Sequence, residues 1–167
     1  MGNVFLTLEK EVFRGNVLDI TYGNDGVIYH ANKYYDSYIE VDYIENKLFE
    51  KAQVEEYYDS CILFFSLNKI KSSKLRKELF SNIYNKIRKN GYVYIYDIQK
   101  KRFNITKINI EILLPDKKLK KIKINSYNIF SDSTTEKIIN DLNMHFDIIE
   151  SISSNGAIKI IGRKKGC

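Results

Sequence analysis

Short apolar runs that end in polar turns recur along the chain and predict buried β-strands. Residues 17–20 form the first run, and the polar, glycine-containing turn at 21–26 follows it. Residues 38–42 combine β-branched and aromatic side chains with an acidic end. Residues 59–65 contain the strongest apolar run, which is short and continuous. Such a run is typical of a strand in the middle of a parallel sheet.

Helical periodicity separates these strands. Residues 27–35 leave room for about two helical turns. Residues 73–89 form the clearest helix, because apolar side chains recur there at every fourth position, namely at Leu75, Leu79, Ile83 and Ile87. We expect Ser72 or Ser73 to cap the start of this helix and the Asn-Gly pair at 90–91 to end it.

The second half of the chain continues the alternation. Its predicted elements are a strand at 92–98, a β-hairpin over 105–124 that turns at 115–118, a helix at 133–143 with a capping-box pattern at 133–136, and strands at 146–152 and 157–161 around the turn 153–156. The chain is therefore expected to form one α/β domain over 1–167. We expect a Rossmann-like, mostly parallel sheet with helices on both faces and a C-terminal antiparallel strand pair.

Composition agrees with a globular chain. Of its 167 residues, 44% are hydrophobic and 29% are charged. The two cysteines, Cys61 and Cys167, do not make a disulfide framework, and no Cys and His cluster has metal-ligand spacing, so no metal site is predicted. The N-terminus lacks the features of a signal peptide, and no apolar run is long enough to span a membrane. We therefore expect a cytoplasmic protein with no membrane partner.

The net charge of +6 permits nucleic-acid partners without requiring them. The lysine-rich segment 117–123 (KKLKKIK) has two interpretations. It is either a basic strand that holds RNA phosphates or a charged edge strand that resists aggregation. We favour the edge strand, so that nucleic acid is a less favoured partner.

Residues 17–26 carry a motif with a known relative. An apolar strand is followed by Asp19 and then by Gly23, with further elements in a fixed order: a strand ending in Asp42, the strand at 59–65, the helix with its Asn-Gly turn, and the final strand pair. Together these features resemble the class I S-adenosylmethionine (SAM) methyltransferases over roughly residues 13–163. The resemblance implies that SAM is the cofactor and that the acceptor of the methyl group is still to be identified.

The resemblance also implies a cofactor site. Its residues are Asp19, Thr21, Tyr22, Gly23, Asn24, Asp25, Gly26, Asp42, Tyr43, Ser66 and Leu67. In the family the glycine loop brings the backbone close to the methionine part of SAM, and the acidic residue before it orders the loop. Thr21 and Asp25 stand where the family usually has glycines, and Gly26 comes one place late.

Asp42 has a specific role in this site, and two further residues complete it. Asp42 would accept hydrogen bonds from both ribose hydroxyls, although Glu40 and Glu45 compete for that role and a solvated strand-end carboxylate is the alternative. Asn68, which follows the strand at 59–65, and Asp97, at the end of the strand at 92–98, are candidate substrate contacts. An ordinary strand-end charge is the alternative for Asp97.

The middle of the chain is shorter than in the family. Only 16 residues separate Asp42 from Asp59, where the family usually fits a helix, a strand and another helix. The wall that covers adenine is therefore expected to be reduced or to be completed by a partner subunit, which would make the protein a homodimer.

Three functions remain open from the sequence. The first is methyl transfer from SAM to an acceptor. The second, motivated by the altered glycine pattern, is a non-catalytic protein of the same fold that binds a ligand or partner. The third is RNA binding through the basic hairpin.

Overall fold

The computed structural model describes residues 2–13, 15–21, 26–35, 41–43 and 56–166, with 41–43 described as backbone. These residues form an α/β structure whose elements are β1 Gly2–Thr7, β2 Val17–Ile20, α1 Val27–Tyr35, β3 Val41–Tyr43, β4 Tyr58–Phe64, a 3-10 turn Leu67–Lys69, α2 Ser73–Lys86, β5 Ile87–Ile98, β6 Thr106–Leu113, β7 Leu119–Ser126, α3 Thr135–Leu142, β8 Phe146–Ser154 and β9 Ala157–Lys164. None of the helices among them is long and apolar enough to cross a membrane.

Six strands form the central sheet, in the order β3-β2-β4-β5-β9-β8. The strands from β3 to β5 are parallel, and β9 runs antiparallel between β5 and β8. Asn155 and Gly156, with φ of 51° and 82°, form the two-residue turn between β8 and β9. Because tight hairpin turns favour positive φ at both positions, this Asn-Gly pair specifies the turn. The predicted C-terminal antiparallel pair is confirmed.

One face of the central sheet is covered by α2 and α3. The buried side chains that meet there are Leu79, Phe80 and Ile83 of α2, Ile138 and Leu142 of α3, and Leu18, Cys61, Leu63, Val93 and Ile95 of the sheet. Burial of each large apolar side chain contributes about 1.5–3 kcal/mol, so this cluster supplies much of the driving force for folding.

The other face is covered by α1 and by a second sheet, so helices lie on both faces as expected, and the separate second sheet is the feature that was not predicted. This sheet has the order β1-β6-β7, with β1 parallel to β6 and β7 antiparallel to it. Its side chains Val4, Ile110, Ile112 and Ile124 pack with Val27, Ile28 and Ala31 of α1 against Val17, Ile62, Phe64 and Tyr96 of the central sheet.

The predicted hairpin, which is formed by β6 and β7, is confirmed. Strand β1 was not predicted, because its pattern is irregular: Val4 is buried, whereas Phe5 is 62% exposed.

The boundary between α2 and β5 differs from the prediction. The helix ends at Lys86, and Ile87 already pairs with Tyr58 across the sheet. Gly91 does not end the helix but permits close approach of strands, since a Cβ there would lie 2.4 Å from Ile87 Cγ2 and 2.8 Å from the Asp59 carbonyl oxygen. The Asn-Gly pair therefore marks an irregularity at the start of β5: Asn90 has a positive φ of 64°, and Gly91 lies where a side chain would collide with its neighbours.

Capping was predicted correctly for α2 and wrongly for α3. The Ser72 side chain accepts a hydrogen bond from the Leu75 amide at 3.3 Å, as an N-cap should. Helix α3 begins after Thr134, whose side chain makes no capping hydrogen bond, so the capping box at 133–136 is not formed. Ser133 instead exchanges backbone hydrogen bonds with Lys100, which ties this loop to the end of β5.

Candidate functional site at the carboxyl edge of the central sheet

Of the predicted site residues, those that the structure describes lie at or just beyond the ends of the parallel strands of the central sheet. Strand β2 pairs with β3 so that Tyr43 lies opposite Asp19 and Asp42 lies opposite Leu18. Asp19 is only 2% exposed. In open α/β sheets this edge is where ligands bind, because the loops between strands and helices leave a crevice there.

The glycine loop lies largely outside the described residues, which exclude Tyr22, Gly23, Asn24 and Asp25. Thr21 follows β2 and is half-buried. Gly26 leads into α1 with φ of 62°, and its carbonyl oxygen accepts a hydrogen bond from the His30 amide at 3.0 Å. Because this left-handed backbone conformation favours glycine, the glycine at 26 has a structural cause of its own.

The end of β4 forms a tight buried turn. Phe65 has φ of 53°, and its amide donates to the Tyr96 carbonyl oxygen at 2.7 Å. Ser66, Leu67 and Asn68 follow, and all three are fully buried. The strand end that the sequence assigned to the cofactor and the substrate is therefore buried within the fold.

Asp97, at the end of β5, holds this turn in place. One carboxylate oxygen accepts hydrogen bonds from the Leu67 amide at 2.7 Å and the Asn68 amide at 3.3 Å. The other accepts from the Asn68 side-chain amide at 3.2 Å and the Ile98 amide at 2.8 Å. Burial raises the pKa of Asp97 to about 6, although these hydrogen bonds act to lower it. The predicted substrate contact stays a prediction, and what the geometry itself gives Asp97 is a positioning role.

Two polar atoms at the end of β4 are buried without a hydrogen-bond partner among the described residues, namely Ser66 Oγ and Asn68 Oδ1. An unsatisfied buried polar atom costs about 1–3 kcal/mol, and native proteins seldom leave one without a reason. These atoms are therefore candidates for hydrogen bonding to a ligand at this edge.

Lys100 is a buried residue near this edge that the sequence did not single out. It is 1% exposed, and its ammonium group donates to Ser126 Oγ at 2.5 Å. Ser126 Oγ lies 3.3 Å from the Asn68 carbonyl oxygen, so Lys100 links the end of β7 to the β4 turn. Burial, and then the nearby charge of Lys69, lower the pKa of Lys100. Its sequence neighbours, Lys101 and Arg102, are exposed, so the basic run did not distinguish it.

The described residues contain no cluster of metal ligands and no reactive thiol. No three His, Cys, Asp or Glu side chains come together there as a metal ion would require. Cys61 is fully buried, and its pKa is raised by burial and then by Asp19, so it stays a protonated thiol.

Of the hairpin lysines, Lys120, Lys121 and Lys123 lie on β7, an edge strand of the second sheet, and Lys117 and Lys118 lie in the turn before it. Three of them pair with acids: Lys121 with Glu111 at 2.7 Å, Lys118 with Asp116 at 3.1 Å, and Lys117 with Glu9. The edge position agrees with the favoured interpretation. The alternative role in RNA binding stays a prediction.

Solved structures share this architecture. The N-methyltransferase NodS from Bradyrhizobium japonicum WM9, also solved in complex with S-adenosyl-L-homocysteine, is 9% identical with a TM-score of 0.58 over 91% of this chain and 86% of its own. A SAM-dependent methyltransferase from Clostridium acetobutylicum ATCC 824 is 11% identical, with a TM-score of 0.55 over 91% and 85%. The PH0226 protein from Pyrococcus horikoshii OT3 is 14% identical, with a TM-score of 0.56 over 92% and 84%.

No protein-family model and no curated protein sequence matches the chain. The structural similarities, at these low identities, show the fold alone. The chain has the fold of class I SAM-dependent methyltransferases, and the resemblance predicted from the sequence is confirmed at that level.

Proposed function

We propose that the protein is a SAM-dependent methyltransferase whose cofactor lies across the carboxyl ends of β2, β3 and β4. The observation that carries this proposal is the fold shared with SAM-dependent methyltransferases, one of which was solved with S-adenosyl-L-homocysteine. The sheet order supports it, because it brings Asp19, Tyr43 and the β4 turn to one edge.

The residues at this edge fit the cofactor. SAM supplies a methyl group on a sulfonium, which an acceptor's lone pair takes by in-line displacement. Asp19 and the loop that ends at Gly26 would hold its methionine part, and Asp42, with Tyr43 beside it, would hold the ribose. Ser66 Oγ and Asn68 Oδ1 lack partners among the described residues, and Ser66 with Leu67 would line the donor side of the cleft.

The contribution of the chain to the reaction is orientation. Methyl transfer depends largely on proximity and alignment, so no dedicated base is required. Asp97 fixes the turn that carries Ser66 and Asn68 through its hydrogen bonds to Leu67 and Asn68 amides.

Calorimetric titration with SAM and with S-adenosyl-L-homocysteine tests this proposal. We expect Asp42→Ala to weaken SAM binding by about 1–3 kcal/mol, since a buried polar contact would lose its partner. Asp147→Ala is the matched control, because Asp147 is an exposed carboxylate on β8, a strand at the opposite edge of the sheet. Absence of SAM binding by the intact protein, or a cocrystal with the ribose away from Asp42, would contradict the assignment.

A second candidate is a non-catalytic protein of the same fold that binds a ligand or partner. Thr21 and Asp25, which stand at usual glycine positions, favour it because their side chains obstruct close approach of the backbone. The double variant Thr21→Gly/Asp25→Gly should tighten SAM binding if the loop is an altered cofactor site. No binding by this variant, with its thermal unfolding unchanged, would favour the non-catalytic candidate.

The covering of adenine depends on residues 44–55, which lie outside the described part of the chain. A partner subunit that completes this wall would make the protein a homodimer. Light scattering during size-exclusion chromatography tests this, and we expect SAM to shift the equilibrium toward the dimer. A monomer whose SAM affinity does not depend on protein concentration would exclude a shared site.

A further inference from the structure

The two linkers that flank the β6-β7 hairpin form one exposed apolar surface, which we call the linker patch and define as residues 101–105 and 127–130. Its large side chains are mostly exposed: Phe103 at 69%, Ile105 at 60%, Tyr127 at 61% and Phe130 at 64%. The linkers are joined by a hydrogen bond of 2.6 Å from the Phe103 amide to the Ile129 carbonyl oxygen. Exposed apolar groups that cluster in this way mark interaction sites.

The backbone at Phe103 has an unusual conformation. Phe103 has φ of 67°, a left-handed conformation that is rare for a bulky residue. Such conformations cost about 1–3 kcal/mol and concentrate at functional sites.

Cations accompany the rings of the patch. The Arg102 guanidinium lies 6.0 Å from the centre of the Phe103 ring, and the Lys107 ammonium lies 5.8 Å from that of Tyr127. Residues 101–105 and 127–130 contain no Asp or Glu, whereas Lys101 and Arg102 are both basic. A flat ring beside a positive charge matches a nucleotide, which offers a base to stack and a phosphate to neutralise.

A groove of about 440 Å³ lies beside the patch and between the first turn of α2 and α3. Lys71 and Ser72, which closely follow the 3-10 turn Leu67–Lys69 at the end of β4, line it together with Arg102 and Phe130. The groove therefore adjoins both the exposed rings and the segment that follows the end of β4.

The charge of the groove is positive because its acids are already paired. Asp141 pairs with the buried Arg76 at 2.5 Å, and Asp132 pairs with Lys137. No acid among the described residues pairs with Lys71 or Arg102, so these two cations are available to an anionic ligand.

We infer that the linker patch and its groove bind single-stranded nucleic acid. Stacking platforms next to a basic groove are how proteins hold single strands without reading their sequence. The role of this nucleic acid as methyl acceptor rests on the methyltransferase function proposed above, whereas its binding does not. This surface is distinct from the lysine-rich segment 117–123, for which RNA binding was the less favoured interpretation of the sequence.

The test is fluorescence anisotropy with a fluorescein-labelled 15-mer oligouridylate at 50 and 200 mM KCl. If Lys71, Lys101, Arg102 and Lys107 neutralise about four phosphates, affinity should fall about 50-fold between these salt concentrations. The charge variant Lys71→Gln/Arg102→Gln/Lys107→Gln should reduce that change to about threefold. Replacing Phe103, Tyr127 or Phe130 by Ala should weaken binding about tenfold for each ring that stacks on a base.

The matched control replaces the five hairpin lysines, Lys117, Lys118, Lys120, Lys121 and Lys123, by Gln. This variant loses more positive charge than the charge variant, yet we expect its affinity to stay within about threefold of the parent. Equal losses in both variants would show a general charge effect and overturn the inference. Circular dichroism melting of each variant verifies that it is folded.

Two further outcomes separate this inference from the proposed function. Absent oligonucleotide binding with intact SAM binding defeats the inference alone, and binding to phosphatidylserine vesicles in its place would assign the patch to a lipid surface. Oligonucleotide binding through the patch in a protein that fails to bind SAM would defeat the proposed function and leave the nucleic-acid surface standing.

Discussion

One carboxylate lies at each end of β4, and the two differ in their exposure to solvent and in their partners. Asp59, at the amino end, is 38% exposed, pairs with Arg88 at 3.3 Å and accepts a hydrogen bond from the Asn16 amide at 2.8 Å. Asp97, which holds the carboxyl end, is fully buried, and its four donors among the described residues are all amides. Asp59 can lower its energy by contact with water and a cation, whereas Asp97 depends on fixed dipoles.

This difference separates a stabilising end of the sheet from a candidate functional end. At the amino end the polar groups around Asp59 satisfy one another. At the carboxyl end Asp97 keeps a raised pKa, and Ser66 Oγ and Asn68 Oδ1 have no described partner. Residues with shifted pKa values and buried polar atoms without hydrogen-bond partners concentrate at binding sites, where a ligand can supply the missing partners.

The largest expected effect concerns the pH dependence of Asp97. Its pKa in the folded protein, about 6, lies above the ordinary value of 3.8, so the folded state binds this proton more tightly than the unfolded state. The resulting stabilisation is complete below about pH 4 and is lost as pH rises through 6, and it amounts to about 3 kcal/mol. In Asp97→Asn the free energy of unfolding, measured with urea from pH 4 to 8, should not show this decrease as the pH rises.

The matched variant at the other end of β4 is Asp59→Asn, which should retain the fall that Asp97 causes. The informative quantity is the difference between each variant and the parent protein, because other groups titrate in all three. Parallel curves for Asp97→Asn and the parent would show that this carboxylate is not the source of the pH dependence.

A smaller effect is expected at the amino end from Gly15→Ala. Gly15 has φ of 76°, and a Cβ there would lie 2.2 Å from Asp59 Oδ2. The left-handed backbone and the displaced carboxylate together should lower the free energy of unfolding by about 2 kcal/mol. In an Asp59→Ala background only the backbone cost of about 1 kcal/mol should remain, and an equal loss in both backgrounds would place the effect in the backbone alone.

The smallest effect is expected from Ser66→Ala. Removing a buried hydroxyl that has no described partner should leave stability unchanged or raise it by up to about 1 kcal/mol. SAM binding should nevertheless weaken, because the proposed ligand contact is lost. Ser126→Ala is the control of equal size, and it should cost about 1 kcal/mol because Ser126 Oγ is hydrogen-bonded to Lys100. A Ser66→Ala protein that is much less stable would show that the hydroxyl has a partner within the fold.

Much of the central sheet could be predicted because its signals are local. The apolar run at Cys61–Phe65, the four-residue period of α2 and the Asn-Gly turn at 155–156 each report a conformation that neighbouring residues determine. The second sheet was only half predicted. Its hairpin is local, but β1 pairs with β6 across about a hundred residues, and no local pattern records such a partner.

The features of the candidate site likewise divide into those that the sequence predicts and those that it does not. The acidic residue at the end of β2 and the polar residues after β4 could be chosen from the order of elements alone. The positioning role of Asp97 and the burial of Lys100 could not, because each depends on a contact with a distant segment: the 67–68 turn for Asp97 and the end of β7 for Lys100.

By itself, the sequence determined most of the segments that become strands and helices, with β1 and the start of β5 as exceptions, because hydrophobic periodicity and turn residues act over a few positions. It also determined the resemblance to class I methyltransferases, which depends on the order of those segments. Only the tertiary structure decided which polar groups are buried together, which cations remain unpaired and which rings face solvent. Those properties arise when segments far apart in the chain exclude water from one another, and desolvation depends on the whole fold rather than on neighbouring residues.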